Sequence, residues 1–448
     1  MRLLRPILAW LIILAAAATP FFSTQIRKIL SIQAPAIDPV EPSTQLLITA
    51  RYCVGAKPML AGSPAELQKV VAQIQKLARS PLERFRLVPV LVELDQRDAA
   101  RKTLESLASD PAATALQDDI DSLLRIYNPS PLPLTDARQS ALIQRHAWFG
   151  QLAVSHAPGA SADAREAVRI PAQRALWWML AIGIAALVAV ALGLGVLVLL
   201  IVLACIGSIQ RRYVPDSGEA GDIASTEGHR SVYLECFALY LLLWMAGGLA
   251  MRLVFTSISL SYAWLLTPLV VFAICWPALN GRPWTEVRLA LGWHAGRGWA
   301  KEVLCGFAGY LAFLPILVLG ILLTSYLMQF SDRTPSHPLL NEITGDFRKM
   351  LGVYALACIF APIIEETLFR GAFFHHLRRR WPWWVSAPIV AVIFAIIHPQ
   401  GLLGLPVLIL IALMLAALRE WRGSLIAPAT AHAINNFVAT TVLFVLLA

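Results

Sequence analysis

The pattern of apolar and polar positions along the chain changes near residue 173. Before that point a single apolar run, ILAWLIILAAAATPFF at residues 7–22, follows Arg2 and Arg5. Residues 23–172 are more polar, with apolar positions at helical spacing, as in PAELQKVVAQIQKLARSPLERFRLVPVLVELDQRDAARKTLESLASDP. That spacing predicts helices with boundaries at Ser80-Pro81 and Asp110-Pro111, and further helices over 113–127 and 136–156. No clean repeat period runs through them. From Trp177 onward apolar runs dominate and predict spans near 175–208, 231–250, 256–279, 303–328, 350–377, 384–399, 402–418 and 425–447. With the first run, this describes an all-α chain: a polytopic helical membrane protein of about nine spans, with a soluble helical N-terminal domain inserted after the first. The expected parts are an N-terminal anchor or signal segment at 1–22 (read here as an uncleaved anchor), the helical domain at 23–172, a long transmembrane helix and loop at 173–230, and a membrane domain at 231–448.

Composition agrees with that reading. Of 448 residues, 58% are hydrophobic and 15% charged, outside the range of an ordinary soluble domain. The net charge of +9 does not point to nucleic acid, because the basic residues form no single patch and many sit in short loops. With the N-terminus inside, one side receives Arg2, Arg5, Arg211, Arg212, Arg230, Arg282, Arg288, Arg297, Lys301, Arg378–Arg380, Arg419 and Arg422. The other side's short loops offer Arg252, Arg333, Arg348 and Lys349. This bias predicts a cytoplasmic N-terminus, residues 23–172 outside the cytoplasm, and a bacterial inner membrane as the setting. Trp381, Trp383 and Trp384 read as an interfacial belt, with His375-His376 as an anchor beside it. Five of the six cysteines lie in apolar segments and no CxxC occurs, so neither a disulfide framework nor a structural zinc site is expected.

Against this apolar background, residues 359–374, IFAPIIEETLFRGAFF, stand out. A charge at mid-membrane depth costs at least ~2.5–3.5 kcal/mol, so three in one segment require a partner or a task. Glu366 and Arg370 are four apart, on one helical face, and make an ion pair with the glutamate on the favourable side. Glu365 points about 100° away and has no partner in its own helix. A carboxylate in an apolar setting accepts a proton more readily, as a general base must. Two other spans carry polar groups: VIFAIIHPQG, with Phe394 four residues before His398, and ATAHAINNF, with His432 four residues before Asn436. At ~1.5 Å per residue, Glu365 lies ~20 Å from Arg378, His398 ~21 Å from Trp384 and His432 ~15 Å from Arg422. Helices of alternating direction thus bring these groups to similar depth. The break Pro399-Gln400-Gly401 suits a wet cavity. A carboxylate base and water in one cavity point to hydrolysis, with Glu365 and His398 deprotonating water and His432 and Asn436 donating to an oxyanion.

EETLFR fits E-E-x-x-x-R, FAIIH fits F-x-x-x-H and HAINN fits H-x-x-x-N. In that order these motifs resemble the CPBP family, the CAAX proteases and bacteriocin-processing proteins also called Abi, over roughly residues 345–448. The resemblance implies an intramembrane endopeptidase, with Glu365 as base, His398 beside it, His432 and Asn436 at the oxyanion, and Glu366 and Arg370 in support. Phe394 would shape the pocket. It implies a peptide or membrane-anchored protein substrate, lipidated in some relatives. No metal is the favoured expectation, since H-E-x-x-H is absent. A zinc ion, if used, would take Glu365, His398 and His432. A proton-coupled transporter and a non-catalytic membrane scaffold are the alternatives. The absence of matched broken helices in the two halves speaks against the transporter.

Overall fold

The computed structural model describes residues 4–29, 44–60, 62–213, 231–254, 266–328, 330, 347–398 and 402–447. The break at Pro399-Gln400-Gly401 lies outside them. Among the described residues every regular element is helical, so the fold is all-α. The chain forms two compact units, residues 35–185 with 441–448, and residues 1–34 with 186–440.

The first unit holds α2 (Thr44–Leu60), α3 (Pro64–Leu77), α4 (Pro81–Glu93), α5 (Arg97–Ala108), α6 (Gln117–Ile126), α7 (Asp136–His146), α8 (Trp148–Ser155) and the start of α9 (Ala162–Cys205). Its hub is α4, whose Phe85, Leu87, Val88, Val90 and Leu91 are all buried. The Ser80-Pro81 boundary has a physical basis: the Ser80 hydroxyl accepts from the Glu83 backbone N–H and the Glu83 carboxylate accepts from the Ser80 backbone N–H, a reciprocal cap with proline at the first helical position. Asp110 caps the short 3₁₀ turn that follows by accepting from Ala112 N–H.

The second unit contains α1 (Leu4–Ile29), the rest of α9, α10 (Val232–Val254), α11 (Thr267–Leu279), α12 (Trp284–Leu291), α13 (Trp299–Met328), α14 (Phe347–Arg378), α15 (Trp383–Ile397), α16 (Leu405–Arg422) and most of α17 (Ile426–Leu447). Among the described residues, five helices are long and apolar enough to cross a membrane: Ala162–Cys205, Val232–Met251, Trp299–Leu327, Phe347–Arg378 and Ile426–Leu447. Shorter apolar helices stand at Leu4–Thr19, Thr267–Leu279 and Trp383–Ile397. An aromatic core joins α1, α10 and α14, where Phe237 stacks on Phe373 at 4.5 Å and Trp10 meets Phe373 edge-on at 5.8 Å. Helices α15 and α16 form the most extensive helix pair, and α13 packs along α16.

Three cations that the sequence assigns to loops are instead paired within the helix bundle, Arg419 and Arg422 buried and Arg378 partly so. Arg422 makes two hydrogen bonds to Glu302, at 2.7 and 2.8 Å, and Arg378 holds Glu420 at 2.9 and 3.0 Å. Arg419 donates to the carbonyls of Arg370, Ala290 and Gly423, with its guanidinium 4.9 Å from the Tyr213 ring. Nor do His375 and His376 serve as an interfacial anchor. Both are buried, and His375 Nδ1 accepts from or donates to the Tyr213 hydroxyl at 2.7 Å. These groups sit in the bundle because each has a partner there, which is the condition for burying a charge.

Candidate active site

Helix α14 is not uniform. It is α-helical over Phe347–Ala355, π-helical over Leu356–Phe360, α-helical over Ala361–Glu366, π-helical over Thr367–Phe373 and α-helical again to Arg378. Wide turns of this kind leave carbonyls without their usual donor and turn side chains out of the regular phase. In the first wide turn Ala361 N–H bonds to Leu356 O, five residues back. In that register the carbonyl of Ala357 faces Pro362, which has no N–H. Asn436 Nδ2 on α17 donates to it instead, at 2.8 Å. In the second wide turn, Arg419 Nε donates to the carbonyl of Arg370 at 3.3 Å. Thus α14 is held on either side of Glu365 and Glu366 by side chains from α17 and α16.

The Glu366–Arg370 pair is fully enclosed, with both side chains at 0% exposure and Nη1 to Oε1 at 3.0 Å. Arg370 Nη2 also donates to the Ala412 carbonyl at 3.1 Å, and its guanidinium lies 4.7 Å from the Phe394 ring. Glu366 Oε1 accepts a further hydrogen bond from His432 Nδ1 at 2.9 Å. Glu366 therefore binds three helices together: its own, α16 through Arg370, and α17 through His432.

Glu365 faces the two imidazoles. Its Oε2 lies 3.7 Å from His398 Nε2 and 3.8 Å from His432 Nε2, beyond direct hydrogen-bond length. The far side of each ring fixes its tautomer. His398 Nδ1 is 2.6 Å from the Phe394 carbonyl, which only accepts, so Nδ1 carries the hydrogen. His432 Nδ1 donates to the Glu366 carboxylate by the same logic. In the neutral rings both Nε2 atoms then present lone pairs towards Glu365. Glu365 Oε2 is buried and has no hydrogen-bond partner. Three acceptors pointed at one volume call for an occupant that brings hydrogens or positive charge. Phe394 walls the site, its ring 4.0 Å from that of His398 and tilted by 40° to it, and 6.1 Å from His432, edge-on to the latter.

Asn436 makes no hydrogen bond to this cluster. Its hydrogen bonds run to Ala357 and from Asn435 Nδ2, the latter at 3.3 Å, which leaves Asn436 one amide hydrogen uncommitted. Two neutral imidazoles and a carboxylate, each ring backed by an acceptor, are donors that zinc accepts. Among the described residues, however, no group of three or more His, Cys, Asp or Glu is set closely enough to hold a metal ion. Sequence reasoning missed the contributions of Arg419, Ala412 and Ala357. Of these only Arg419 left a signal, as a basic residue at the end of an apolar run.

Comparison with known proteins bears on the same segment. Residues 347–438 match the family model described as type II CAAX prenyl endopeptidase Rce1-like. Over 104 residues the chain is 34% identical to an Escherichia coli protein described as an uncharacterized 24.3 kDa protein. That match takes in 22% of this chain and 48% of the relative, so the chain spans about half the relative's length. No solved structure matches. With its several apolar helices, the protein is an integral membrane protein.

Proposed function

Because residues 347–438 are of the CAAX protease (CPBP) family, we propose that this protein is an intramembrane endopeptidase that hydrolyses a peptide bond close to a membrane anchor. The observation that carries the reading is the buried, unpartnered Oε2 of Glu365, 3.7 and 3.8 Å from two imidazole lone pairs. A water in that volume donates one hydrogen to Glu365 and the other to His398. When the substrate carbonyl arrives, Glu365 takes a proton from the water and the resulting hydroxide attacks the carbonyl carbon. Negative charge moves to the carbonyl oxygen. The uncommitted amide hydrogen of Asn436 donates to it, and so does His432 Nε2 after taking up a proton from solvent, which it gives back when the tetrahedral intermediate collapses, while Glu366 balances the ring's charge in between. Glu365 then returns its proton to the leaving nitrogen as the C–N bond breaks.

Glu365, His398 and His432, the set expected for zinc, are not spaced closely enough in the structure to hold it. No step above needs it. The N-terminus is proposed to face the cytoplasm, with residues 23–172 on the other side of a bacterial inner membrane. The test is cleavage of a membrane-anchored peptide library by the purified protein in nanodiscs. We expect mass-spectrometric products near the anchor, lost in His398→Ala and retained with chelator. The absence of any product from the library with wild type, under conditions where the protein is folded, contradicts the proposal.

A further inference from the structure

Residues 35–185 enclose a half-open cavity of about 950 Å³ that the chemistry above does not use. Its floor is made by core side chains, among them Leu104, Ile126, Leu152 and Val168. Its walls carry five cations: Lys57 on α2, Arg97 and Arg101 on α5, and Arg165 and Arg169 on α9. Two carboxylates, Glu93 and Glu105, line it as well. Most of the charge is committed. Lys57 pairs with Asp95 at 3.0 Å and lies 4.0 Å from Glu93, Arg101 pairs with Glu105 at 3.6 Å, and Arg169 with Glu166 at 3.6 Å. Glu93 is further held by His156, at 2.8 Å, whose other nitrogen meets Tyr127 at 3.1 Å. Among the described residues Arg97 and Arg165 have no acidic partner, and both are exposed. Both also lie in the first turn of a helix, where the backbone dipole disfavours a cation. Helix stability therefore does not account for them.

An apolar floor between cationic walls selects a ligand that is apolar and anionic along its length. The cations are distributed over three helices and include two pairs four residues apart, Arg97 with Arg101 and Arg165 with Arg169. A single lipid headgroup would need them gathered at one end. Within each pair the spacing along the helix is about 6 Å. An extended peptide repeats its side-chain direction every second residue, about 6.6–6.8 Å. We propose that this groove binds an extended acidic peptide segment of a partner protein, in which carboxylates alternate with apolar side chains. The apolar side chains meet the floor and the carboxylates meet Arg97 and Arg165, the two cations without an acidic partner, beside the paired Arg101 and Arg169.

The test uses the full-length protein in phosphatidylcholine nanodiscs and a short labelled peptide alternating glutamate with leucine, read by fluorescence anisotropy. Controls are the same composition with glutamates and leucines in separate blocks, an alternating lysine–leucine peptide, and short-chain phosphatidylglycerol as competitor. The expected result is binding of the alternating acidic peptide at least about tenfold tighter than either control peptide, weakening as salt rises. Arg97→Glu with Arg165→Glu should lose at least that factor and gain the lysine–leucine peptide. Glutamate at these helix starts is favoured by the dipole, so folding is retained. The milder Arg97→Gln/Arg165→Gln pair should fall between. Equal binding of alternating and blocked peptides, indifference to both pairs of substitutions, or displacement by phosphatidylglycerol with no peptide preference would each overturn the proposal.

Discussion

Asn436 and Pro362 are joined through a carbonyl that neither owns. The π-helical turn brings the Ala357 carbonyl into register with Pro362, which has no hydrogen to give, and Asn436 supplies one at 2.8 Å. The stretch of α14 that leads into Glu365 is thereby tied to α17, the helix that carries His432.

This relationship predicts a coupling between the two residues. Removing a donor from a buried carbonyl costs about 1–3 kcal/mol, the expected loss in unfolding stability for Asn436→Ala. Pro362→Ala restores a backbone N–H at the position facing Ala357. In a double-mutant cycle measured by unfolding in detergent, the pair should therefore cost less than the sum of the single changes. Strict additivity would show that the hydrogen bond does not stand in for the missing N–H.

Arg370 should be among the least replaceable residues for folding. Arg370→Ala leaves Glu366 buried at 0% exposure with only His432 for company, and breaking one partner of an enclosed ion pair typically costs about 3–5 kcal/mol. Arg370→Lys should recover little of this. One ammonium cannot reproduce the planar fork that reaches both Glu366 and the Ala412 carbonyl while lying against Phe394. Thermal unfolding of the purified variants checks both statements.

The helical unit should lose stability on acidification. The hydrogen bond from His156, chiefly, with the nearby charge of Lys57, holds Glu93 below the ordinary glutamate range, against burial and Asp95, which push the other way. For Asp119 burial pushes upward, but His146 and Arg145 outweigh it and the net direction is down. A carboxylate lowered by folding adds stability that is complete above its unfolded value, and that is lost as pH falls through the folded one. Hydrogen exchange on the full-length protein should show residues 81–156 losing protection as pH drops from the ordinary carboxylate range near 4 towards still lower values. Glu93→Gln should flatten part of that slope. Protection unchanged across this window would contradict the assignment.

How much of this was legible in the sequence depends on separation along the chain. Glu366 and Arg370 are four residues apart, so helical geometry alone pairs them. Glu365, His398 and His432 could be set at a common depth because the rise per residue of a helix is fixed. The ladder of caps at Ser80 and Asp110 is likewise local chemistry. By contrast, His375 meets Tyr213 across 162 positions and Arg422 meets Glu302 across 120, distances at which no periodicity carries information. Arg419 and Arg422, which look like loop charges, proved to be core residues because their partners lie on other helices. The π-helical turns were illegible for a subtler reason. A single proline after a run of helix formers fits an ordinary helix as well as a widened one, and only the donor from α17 distinguishes them.

The account stands most directly on Glu365 as the group that takes the proton from water. The decisive measurement is the cleavage rate of Glu365→Gln, whose side chain keeps the shape and burial of the original but cannot act as a base. We expect at least a ~10²–10⁴-fold loss in kcat, the usual contribution of a general base, with an unfolding temperature close to that of the unmodified protein. Turnover within a few-fold of the unmodified protein, in an equally stable variant, would contradict it.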